Sequence, residues 1–483
     1  GRKDIAMTVD ATFDLKYLLF ICLILLIFSY YYVFCNGRNV PNLPPSYRGW
    51  IPWLGCALEF GRSPLNFIEN KRKQLGPIFT LYVAGERMTF LTEWDDFPNF
   101  FQSSYVDFQK GVQSSVQNVA AISEKSFFQF HTSLHDIVKG RLASSMLGPT
   151  GQNLCSEFNE QLNKLGEKGS GDLCGLVRES MYMGVMNNLF GRHVLPTRTL
   201  EEFKEFERNF VVFDEQFEYG ARLPPFVIRK WSNSRKWLLK LFHSVVKNME
   251  FPKQTEEQTL LQTILQTVDM ENSPSFGLLI LWASLANAIP ITFWALGFIL
   301  ENQEIYNRLI KDIRTKFPAT KQGEYVEITE EGLRSIPYVK CCMLEAIRLR
   351  SPGIITRKVI KTFQVKGYTV PEGDRLMVSP YWAHRNARFF PEPDTFNPDR
   401  WLSVDLDKNQ FLEGFIAFGG GRYQCPGRWF ALMEIQMYIV LFLAKFDVKQ
   451  CGKVPSHSSL HLVGTQQPEG PCAVQYQRTN TIP

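Results

Sequence analysis

The segment formed by residues 418–427 contains the side chain with the clearest chemical role in the chain. Its sequence is Phe-Gly-Gly-Gly-Arg-Tyr-Gln-Cys-Pro-Gly, which places the cysteine at position 425. Glycines permit a tight loop and close approach of a flat ligand to the backbone. Pro-Gly precedes an apolar stretch, residues 429–446, that predicts a helix, and N–H groups at a helix N-terminus stabilise a thiolate. Such a thiolate suits a redox-active metal, iron above all.

Charged residues upstream of this segment form a second pattern. A single cysteine is most often a small buried apolar residue, so the neighbouring motifs decide its interpretation. Glu345 and Arg348 lie three residues apart in residues 339–350, where the pattern predicts a helix that places both on one face. Arg400 follows in the segment Phe-Asn-Pro-Asp-Arg-Trp. Glu-x-x-Arg is common on protein surfaces, and its order before Arg400 and Cys425 gives it weight.

Residues 272–300 contain no charged side chain and are long enough to cross a membrane. Ser284, Asn287 and Thr292 interrupt the apolar pattern, which favours a helix buried in a large domain. Pro290 lacks an N–H, so the carbonyl of Ala286 loses its helical partner and the helix must open beside Asn287. Asn287 is therefore either a structural amide at a kink or a group that handles protons together with water.

The rest of the chain predicts one large, mainly helical domain with small β-sheets. Residues 77–92 predict a β-hairpin turned at Gly85–Glu86, residues 354–378 a second β-region, and residues 461–474 a short β-like tail. Most of residues 94–317 predict helices. We place the domain at residues 54–483, after a proline-containing linker at residues 36–53.

The N-terminal part of the chain carries a membrane signal. Residues 17–34 are uncharged and mostly apolar, and a rise of about 1.5 Å per residue makes this run just long enough to span a bilayer. Tyrosines at positions 30–32 are typical of the interface. A cleaved signal peptide has a shorter apolar core and a small-residue cleavage site. We therefore expect an uncleaved anchor within residues 1–35, with Met7 as a candidate initiator; the mixed flanking charges do not indicate its orientation.

Composition narrows the classes of function. The chain has 483 residues, 45% of them hydrophobic, and a formal net charge of +5 without an extended basic block, so we expect no binding to nucleic acid. Its ten cysteines include no Cys-x-x-Cys pair, and Cys341 and Cys342 are adjacent. This pattern favours a reduced, cytosol-facing compartment over a disulfide framework.

Together these motifs resemble the cytochrome P-450 family over essentially the whole chain, with Phe-x-x-Gly-x-x-x-Cys-x-Gly as the most specific element. The resemblance implies the P-450 fold and haem b, with Cys425 as the axial ligand of the iron. It implies that Phe418 and Arg357 also contact the haem, Arg357 through a propionate. It further implies a buried ion network behind the haem, formed by Glu345, Arg348 and Arg400.

The chain departs from the family pattern in three places. Tyr423 stands where an arginine usually binds a propionate, and Arg422 lies one position earlier. The usual Trp-x-x-x-Arg is not evident in residues 127–141. In the central helix, Ala286 and Asn287 replace the acid and threonine that deliver protons to iron-bound oxygen.

The last departure resembles one branch of the family. Trp-Ala-Ser-x-x-Asn-x-x-Pro, residues 282–290, is similar to the branch that contains the sterol 7α-hydroxylases and prostacyclin synthase, and the tail at residues 461–470 resembles the oxysterol 7α-hydroxylases. The branch implies a monooxygenase that hydroxylates an oxysterol in sterol catabolism and bile acid synthesis. Its implied partners are O2, a membrane-bound reductase flavoprotein that transfers electrons from NADPH and docks near Arg422 and Arg428, and the lipid bilayer. Its implied location is the endoplasmic reticulum membrane, with the catalytic domain facing the cytosol.

The same branch implies the residues around the substrate. Asn287 is expected to act on the oxygen side of the haem, where an amide hydrogen-bonds a ligand or a water but relays protons less readily than an alcohol paired with an acid. Residues 352–356 and 462–465 match substrate-lining segments. The predicted pocket residues are Trp282, Ala283, Thr356 and Val463.

Two other functions remain open on the sequence. A haem-thiolate isomerase of a lipid peroxide, similar to prostacyclin synthase, needs no external electrons and tolerates the missing acid–threonine pair. A haem-binding or lipid-binding protein without catalysis is the third hypothesis.

Overall fold

The computed structural model describes residues 11–30, 40–250, 258–318, 324–408 and 410–479. These residues divide into two compact units. The smaller unit comprises the described residues up to Asp107 together with Thr356–Val378, and the larger unit comprises Phe108–Ile355 and the described residues from Ser379 onward. The chain is mainly helical with small β-sheets, which confirms the predicted fold class.

The helices have the following bounds: α1 Ala11–Tyr30, α2 Ala57–Arg62, α3 Pro64–Leu75, α4 Pro98–Phe101, α5 Phe108–Ala120, α6 Glu124–Arg141, α7 Leu147–Asn163, α8 Leu173–Phe190, α9 Leu200–Glu215, α10 Phe217–Gly220, α11 Arg229–Lys247, α12 Leu260–Thr267, α13 Ser273–Leu285, α14 Ala288–Glu301, α15 Gln303–Lys316, α16 Glu330–Arg334, α17 Pro337–Arg350, α18 Pro380–His384 and α19 Arg428–Lys445. The strands are β1 Ser46–Tyr47, β2 Ile78–Val83, β3 Glu86–Leu91, β4 Val106–Asp107, β5 Lys168–Asp172, β6 Ile355–Val359, β7 Phe363–Val365, β8 Tyr368–Val370, β9 Arg375–Val378, β10 Phe446–Gln450 and β11 Ala473–Arg478.

A six-stranded sheet with the order β1-β2-β3-β9-β6-β4 forms the centre of the smaller unit. β2 and β3 make the predicted hairpin, but the turn lies at Ala84–Gly85 because Glu86 already pairs with Val83. Both turn residues have positive φ, 49° for Ala84 and 79° for Gly85. Two successive left-handed residues match the right-handed twist of the flanking strands, which favours this turn over the predicted Gly85–Glu86.

The core of the larger unit contains two long apolar segments. Residues 273–301 and 421–445 are both long and apolar enough to cross a membrane, but the structure buries most of each among other helices. α14 is buried from Ala288 to Ile299, and α19 from Phe430 to Lys445 except at Ala431. Burial on all sides explains why these helices show no polar face. The central segment is therefore a core element, as the polar interruptions predicted.

The central segment is broken where the sequence predicted an opening. α13 ends at Leu285 and α14 begins at Ala288, so Ala286 and Asn287 form a turn between them. Helical hydrogen bonding resumes at Ile291, whose amide donates to the carbonyl of Asn287 at 3.2 Å. Pro290 has no amide to offer Ala286, which accounts for the position of the break.

The predicted β-like tail at residues 461–474 is wrong for most of its length. A strand begins only at Ala473, where β11 lies antiparallel to both β10 and β5, and before it Pro468 forms one isolated antiparallel bridge with His457. Apart from this bridge, residues 461–472 form a loop whose backbone bonds to side chains and backbone groups distant in sequence. Alternating residue types cannot reveal such distant partners.

α1 presents apolar side chains in every direction. The described side chains of residues 17–29 are all exposed, with Phe28 at 70% and Leu18 at 62%. No other described element leaves a continuous apolar helix exposed in this way. Residues 31–34 of the predicted span, residues 36–39 of the linker and Met7 lie outside the described residues.

The close contact between α7 and α8 predicts that adding one methyl group to a glycine there lowers the stability of the fold. A Cβ on Gly184 in α8 would lie 2.5 Å from the ring of Phe158 in α7. Gly184→Ala should therefore destabilise the fold by about 1–3 kcal/mol, measured as a lower urea midpoint. Gly140→Ala in α6 is the matched control, because nothing lies within 4 Å of its Cβ position. It should be neutral or stabilising, and equal effects of the two variants would contradict the packing argument.

Candidate active site

The loop before Cys425 is closed by backbone hydrogen bonds. The amide of Cys425 donates to the carbonyl of Phe418 at 2.9 Å, and the amide of Gly419 donates to Ile416 at 3.0 Å. Gly419 and Gly421 have φ values of 69° and 70°, which side chains with a Cβ rarely adopt. α19 begins at Arg428, one residue before the predicted start. The glycines therefore fold the loop so that the sulfur lies just ahead of a helix N-terminus.

The protonation state of Cys425 differs from the sequence expectation. Burial raises the pKa of its thiol, while the Gly427 amide and the Arg428 guanidinium act in the opposite direction. Burial outweighs the helix N-terminus, so the fold alone does not make a thiolate. A bound metal ion deprotonates a coordinating thiol outright.

The residues near Cys425 fit a metal that brings most of its own ligands. Among the described residues, no group of three or more His, Cys, Asp and Glu side chains is arranged to hold a metal ion. A porphyrin supplies four nitrogen ligands itself and needs only an axial donor from the protein. The half-buried Cys425, with glycines around it, is suited to that single role.

The structure brings Glu345, Arg348 and Arg400 together. Arg348 donates to both carboxylate oxygens of Glu345, with Nε–Oε2 at 2.9 Å and Nη2–Oε1 at 2.8 Å. Arg400 Nε donates to Glu345 Oε1 at 3.0 Å. The Glu345 and Arg348 side chains are completely buried. A buried pair of this kind depends on complete hydrogen bonding, because desolvation of the charges is costly.

Two further donors complete the shell of Glu345. Trp401 Nε1 donates to Oε2 at 3.0 Å, and the Asn397 amide donates to Oε1 at 3.1 Å. Arg348 uses its remaining N–H groups on the carbonyls of His384, Pro393 and Thr395. The network therefore ties α17 to the segment of residues 384–401.

His384 connects this network to the cysteine loop, and no motif in the sequence marks it. Its Nε2 accepts a hydrogen bond from the Ile416 amide at 3.1 Å, which requires Nδ1 to carry the proton that is donated to the Arg348 carbonyl, also at 3.1 Å. Burial and the charge of Arg348 lower the pKa of His384 to about 3. The imidazole is therefore neutral and joins α17 to the start of the loop.

Arg357 and Thr356 lie on β6 in the smaller unit. The buried guanidinium of Arg357 lies over the ring of Phe100, 4.9 Å from its centroid. The hydroxyl oxygen of Thr356 is buried and has no hydrogen-bond partner among the described residues. Their predicted contacts with haem propionate and substrate remain predictions.

Asn287 binds the C-terminal loop, defined here as residues 461–467. Its Oδ1 accepts a hydrogen bond from the Thr465 amide at 3.1 Å. Gly464 packs so closely that a Cβ at this position would lie 2.5 Å from Asn287 Oδ1, and its φ is 127°. The side chain at the helix break thus has at least a positioning role.

Trp282 and Ala283, both predicted pocket residues, have different surroundings. The Trp282 ring stacks on Phe217 with centroids 3.8 Å apart, and its Nε1 donates to Asp214 Oδ1 at 2.9 Å. Asp214 also accepts from Gln467 Nε2 at 3.2 Å. Trp282 therefore holds α13 against α9 and α10, whereas Ala283 is exposed.

Asp214 and Glu218 are buried acids that the sequence analysis did not find. Burial raises the pKa of each to about 7, against hydrogen bonds that lower it. Glu218 Oε1 accepts from the amides of Leu462 and Val463. Val463, a predicted pocket residue, remains 43% exposed. The two acids fix the C-terminal loop, and the only sequence signal was their helical i, i+4 spacing.

The Glu345 network predicts a severe effect of neutralisation. Glu345→Gln should destabilise the protein by about 3–5 kcal/mol, because two guanidinium groups lose their buried counter-charge. Urea midpoints and the ratio of haem to polypeptide measure the effect. Glu330→Gln removes the partner of Arg334 in an exposed pair on α16 and should cost less than about 1 kcal/mol. Similar losses of stability in both variants would show that burial of the network does not raise the cost of removing its carboxylate charge.

Comparison with known proteins supports the assignment that the site suggests. The cytochrome P450 family profile matches residues 44–474. The chain is 43% identical over 441 residues to 24-hydroxycholesterol 7-alpha-hydroxylase of Homo sapiens, covering 90% of this chain and 94% of that protein. The Mus musculus protein of the same name is 44% identical, with 92% and 95% covered. Cytochrome P450 7B1 of Mus musculus is 28% identical, with 94% of each covered. A cysteine loop, a buried glutamate–arginine network and this match over nearly the whole chain show that the chain belongs to the cytochrome P450 family.

Proposed function

We propose that this cytochrome P450 monooxygenase hydroxylates 24-hydroxycholesterol at the 7α position, as a step in sterol catabolism and bile acid synthesis. The observation that carries the proposal is the similarity over at least 90% of the chain to two proteins named for that reaction. When bound at Cys425, haem would carry out the oxidation of the substrate by O2. The electrons would come from NADPH through a reductase, and a thiolate ligand favours O–O cleavage.

Side chains of the larger unit position the loop that carries Cys425. The network of Glu345, Arg348 and Arg400 fixes α17, and His384 transmits that position to the backbone that leads to Cys425. This support positions the loop through a neutral imidazole. Phe418 closes the loop through its carbonyl, which is the contribution we assign to it near the cofactor.

The C-terminal loop and α13 offer apolar surface for a sterol. Val463 of the loop and Ala283 of α13 are both exposed. The Glu218 carboxylate accepts a hydrogen bond from the Val463 amide, and the Asn287 side chain accepts one from the Thr465 amide, so the backbone around Val463 is held in place. We assign Ala283 and Val463 to substrate contact and Trp282 to support of that surface; Thr356 keeps its predicted pocket role.

We place the protein at the endoplasmic reticulum membrane through α1, with the catalytic domain facing the cytosol. The fully exposed apolar helix supports this, because such a surface is costly in water. The proposed division is an N-terminal anchor segment in residues 1–35, a linker at 36–53 and the catalytic domain at 54–483. Arg422 is exposed within the cysteine loop and suits an acidic surface of the reductase.

The decisive experiment is reconstitution of the full-length protein in lipid vesicles with NADPH–cytochrome reductase and 24-hydroxycholesterol. The expected product carries a new 7α-hydroxyl, and its formation should require NADPH, reductase and O2. Cys425→Ala should abolish both the product and the red-shifted Soret band of the reduced CO complex. Conversion of a lipid peroxide without NADPH or reductase, with no sterol product, would establish the isomerase instead. Full sterol turnover by Cys425→Ala would overturn the haem-thiolate mechanism.

Asn287 is proposed to direct protons on the oxygen side of the haem as well as to bind Thr465. Asn287→Ala should lower the ratio of sterol product to NADPH consumed several-fold. Glu218→Ala is the matched control, because it releases the C-terminal loop at Leu462 and Val463 without altering the helix break. It should raise KM with a smaller change in coupling. Equal loss of coupling in both variants would leave Asn287 with a positioning role alone.

A further inference from the structure

A cluster of rings lies ahead of Cys425 and has no part in the contacts described above. The ring of Tyr423 stacks on Phe108 of α5 with centroids 4.8 Å apart. It also lies 5.7 Å from the ring of His131 and 5.7 Å from the ring of His135, both on α6. Tyr423 occupies the position where the family pattern has an arginine. The two histidines are spaced i, i+4, the spacing of the Trp-x-x-x-Arg pair that the sequence lacks.

The tautomer of His131 follows from its neighbour on α5. Gln109 Nε2 lies 3.0 Å from His131 Nδ1 and 3.1 Å from Thr132 Oγ1. An amide nitrogen only donates, so His131 accepts at Nδ1 and carries its proton on Nε2. Burial is the main cause that lowers the pKa of His131 to about 4, in accord with a neutral ring. The fold therefore presents an oriented Nε2–H donor beside Tyr423.

His135 has a different task. Its Nε2 lies 3.3 Å from the carbonyl oxygen of Gln424, the residue before the cysteine, and a carbonyl can only accept. Its Nδ1 lies 3.5 Å from Asp136 Oδ1. Both ring nitrogens of His135 thus have protein neighbours. In contrast, the hydrogen bond of His131 to a described residue is at Nδ1, which leaves its Nε2 and the Tyr423 hydroxyl available, and both residues are half-buried.

We propose that the Tyr423 hydroxyl and His131 Nε2–H bind a propionate carboxylate of the haem, in place of the arginine-based contacts of the family, while His135 positions the cysteine loop. A carboxylate brought out of water requires donors, and hydrogen bonds to a charged acceptor are the strong ones. The rings that carry the two proposed donors have centroids 5.7 Å apart, and Tyr423 lies two residues before Cys425 in the chain. Gln109 and Phe108 hold the two donor rings in place.

The two proposed donors themselves carry no formal positive charge, and the nearest guanidinium, that of Arg422, lies over the Tyr423 ring with its carbon 5.5 Å from the centroid. A guanidinium near the haem stabilises the reduced form more than neutral donors do, because it offsets the negative charge gained on reduction. Replacing Tyr423 by arginine restores the family residue. The variant Tyr423→Arg should therefore raise the reduction potential of the haem, whereas Tyr423→Phe should not.

Haem retention by the intact holoenzyme tests the proposal. Transfer of haem to excess apomyoglobin should be about tenfold faster in Tyr423→Phe and in His131→Leu, since each loses one charge-assisted hydrogen bond. Tyr423→Phe keeps the ring contacts with Phe108, so a loss of folding is not expected. The propionate bending modes in the resonance Raman spectrum should shift in both variants. His243→Leu, an exposed histidine on α11, is the control and should change neither measurement.

A variant of His135 distinguishes support of the cysteine loop from binding of the propionate. His135→Leu should shift the iron–sulfur stretching mode and leave the propionate modes unchanged. Unchanged haem transfer and propionate modes in Tyr423→Phe and His131→Leu would overturn the proposal. A propionate shift in His135→Leu without one in His131→Leu would overturn the assignment of the two histidines. None of these measurements depends on the identity of the sterol.

Discussion

The buried carboxylate of Glu345 is the constraint on which the cysteine loop depends. It accepts from Arg348, Arg400, Trp401 and the Asn397 amide, and it has no exposed surface. A charge so desolvated adds little net stability, yet leaving any donor unpaired is costly. The carboxylate therefore demands one relative placement of α17 and the segment of residues 397–401. Specific geometry, rather than stability, is what the network provides.

A neutral histidine links this fixed arrangement to the loop that holds the sulfur. His384 must accept from Ile416 at one nitrogen and donate to the Arg348 carbonyl at the other. A protonated ring has two donors and no acceptor, so it would lose the bond to Ile416. Complete burial, and after it the neighbouring Arg348 charge, lower the pKa of His384 and keep the ring neutral. The guanidinium that pairs with Glu345 thus also favours the protonation state that ties the loop to α17.

The sequence predicted the residues whose motifs are local and missed those whose partners are distant. Cys425 with its glycines, Glu345 with Arg348, and the break at Pro290 all depend on residues within one helix or loop. His384, Asp214 and Glu218 act on backbone or side chains elsewhere in the chain, and the i, i+4 spacing of the two acids does not indicate those partners. The β-like tail failed for the same reason, since its backbone partners are Glu218, Asn287 and Ile354. The hairpin turn was displaced by one residue because strand register, which no local pattern fixes, decides it.

The amide at the helix break and the glycine opposite it constrain one another. Asn287 Oδ1 accepts from the Thr465 amide, and this approach leaves no room for a Cβ on Gly464. Gly464 also has a left-handed φ that disfavours other residues. The departure from the family at position 287 is therefore coupled to the sequence of the C-terminal loop rather than confined to the central helix. Because the same loop carries Val463 and is held by Glu218, a change at Asn287 alters the shape of the sterol surface as well as the chemistry at the break.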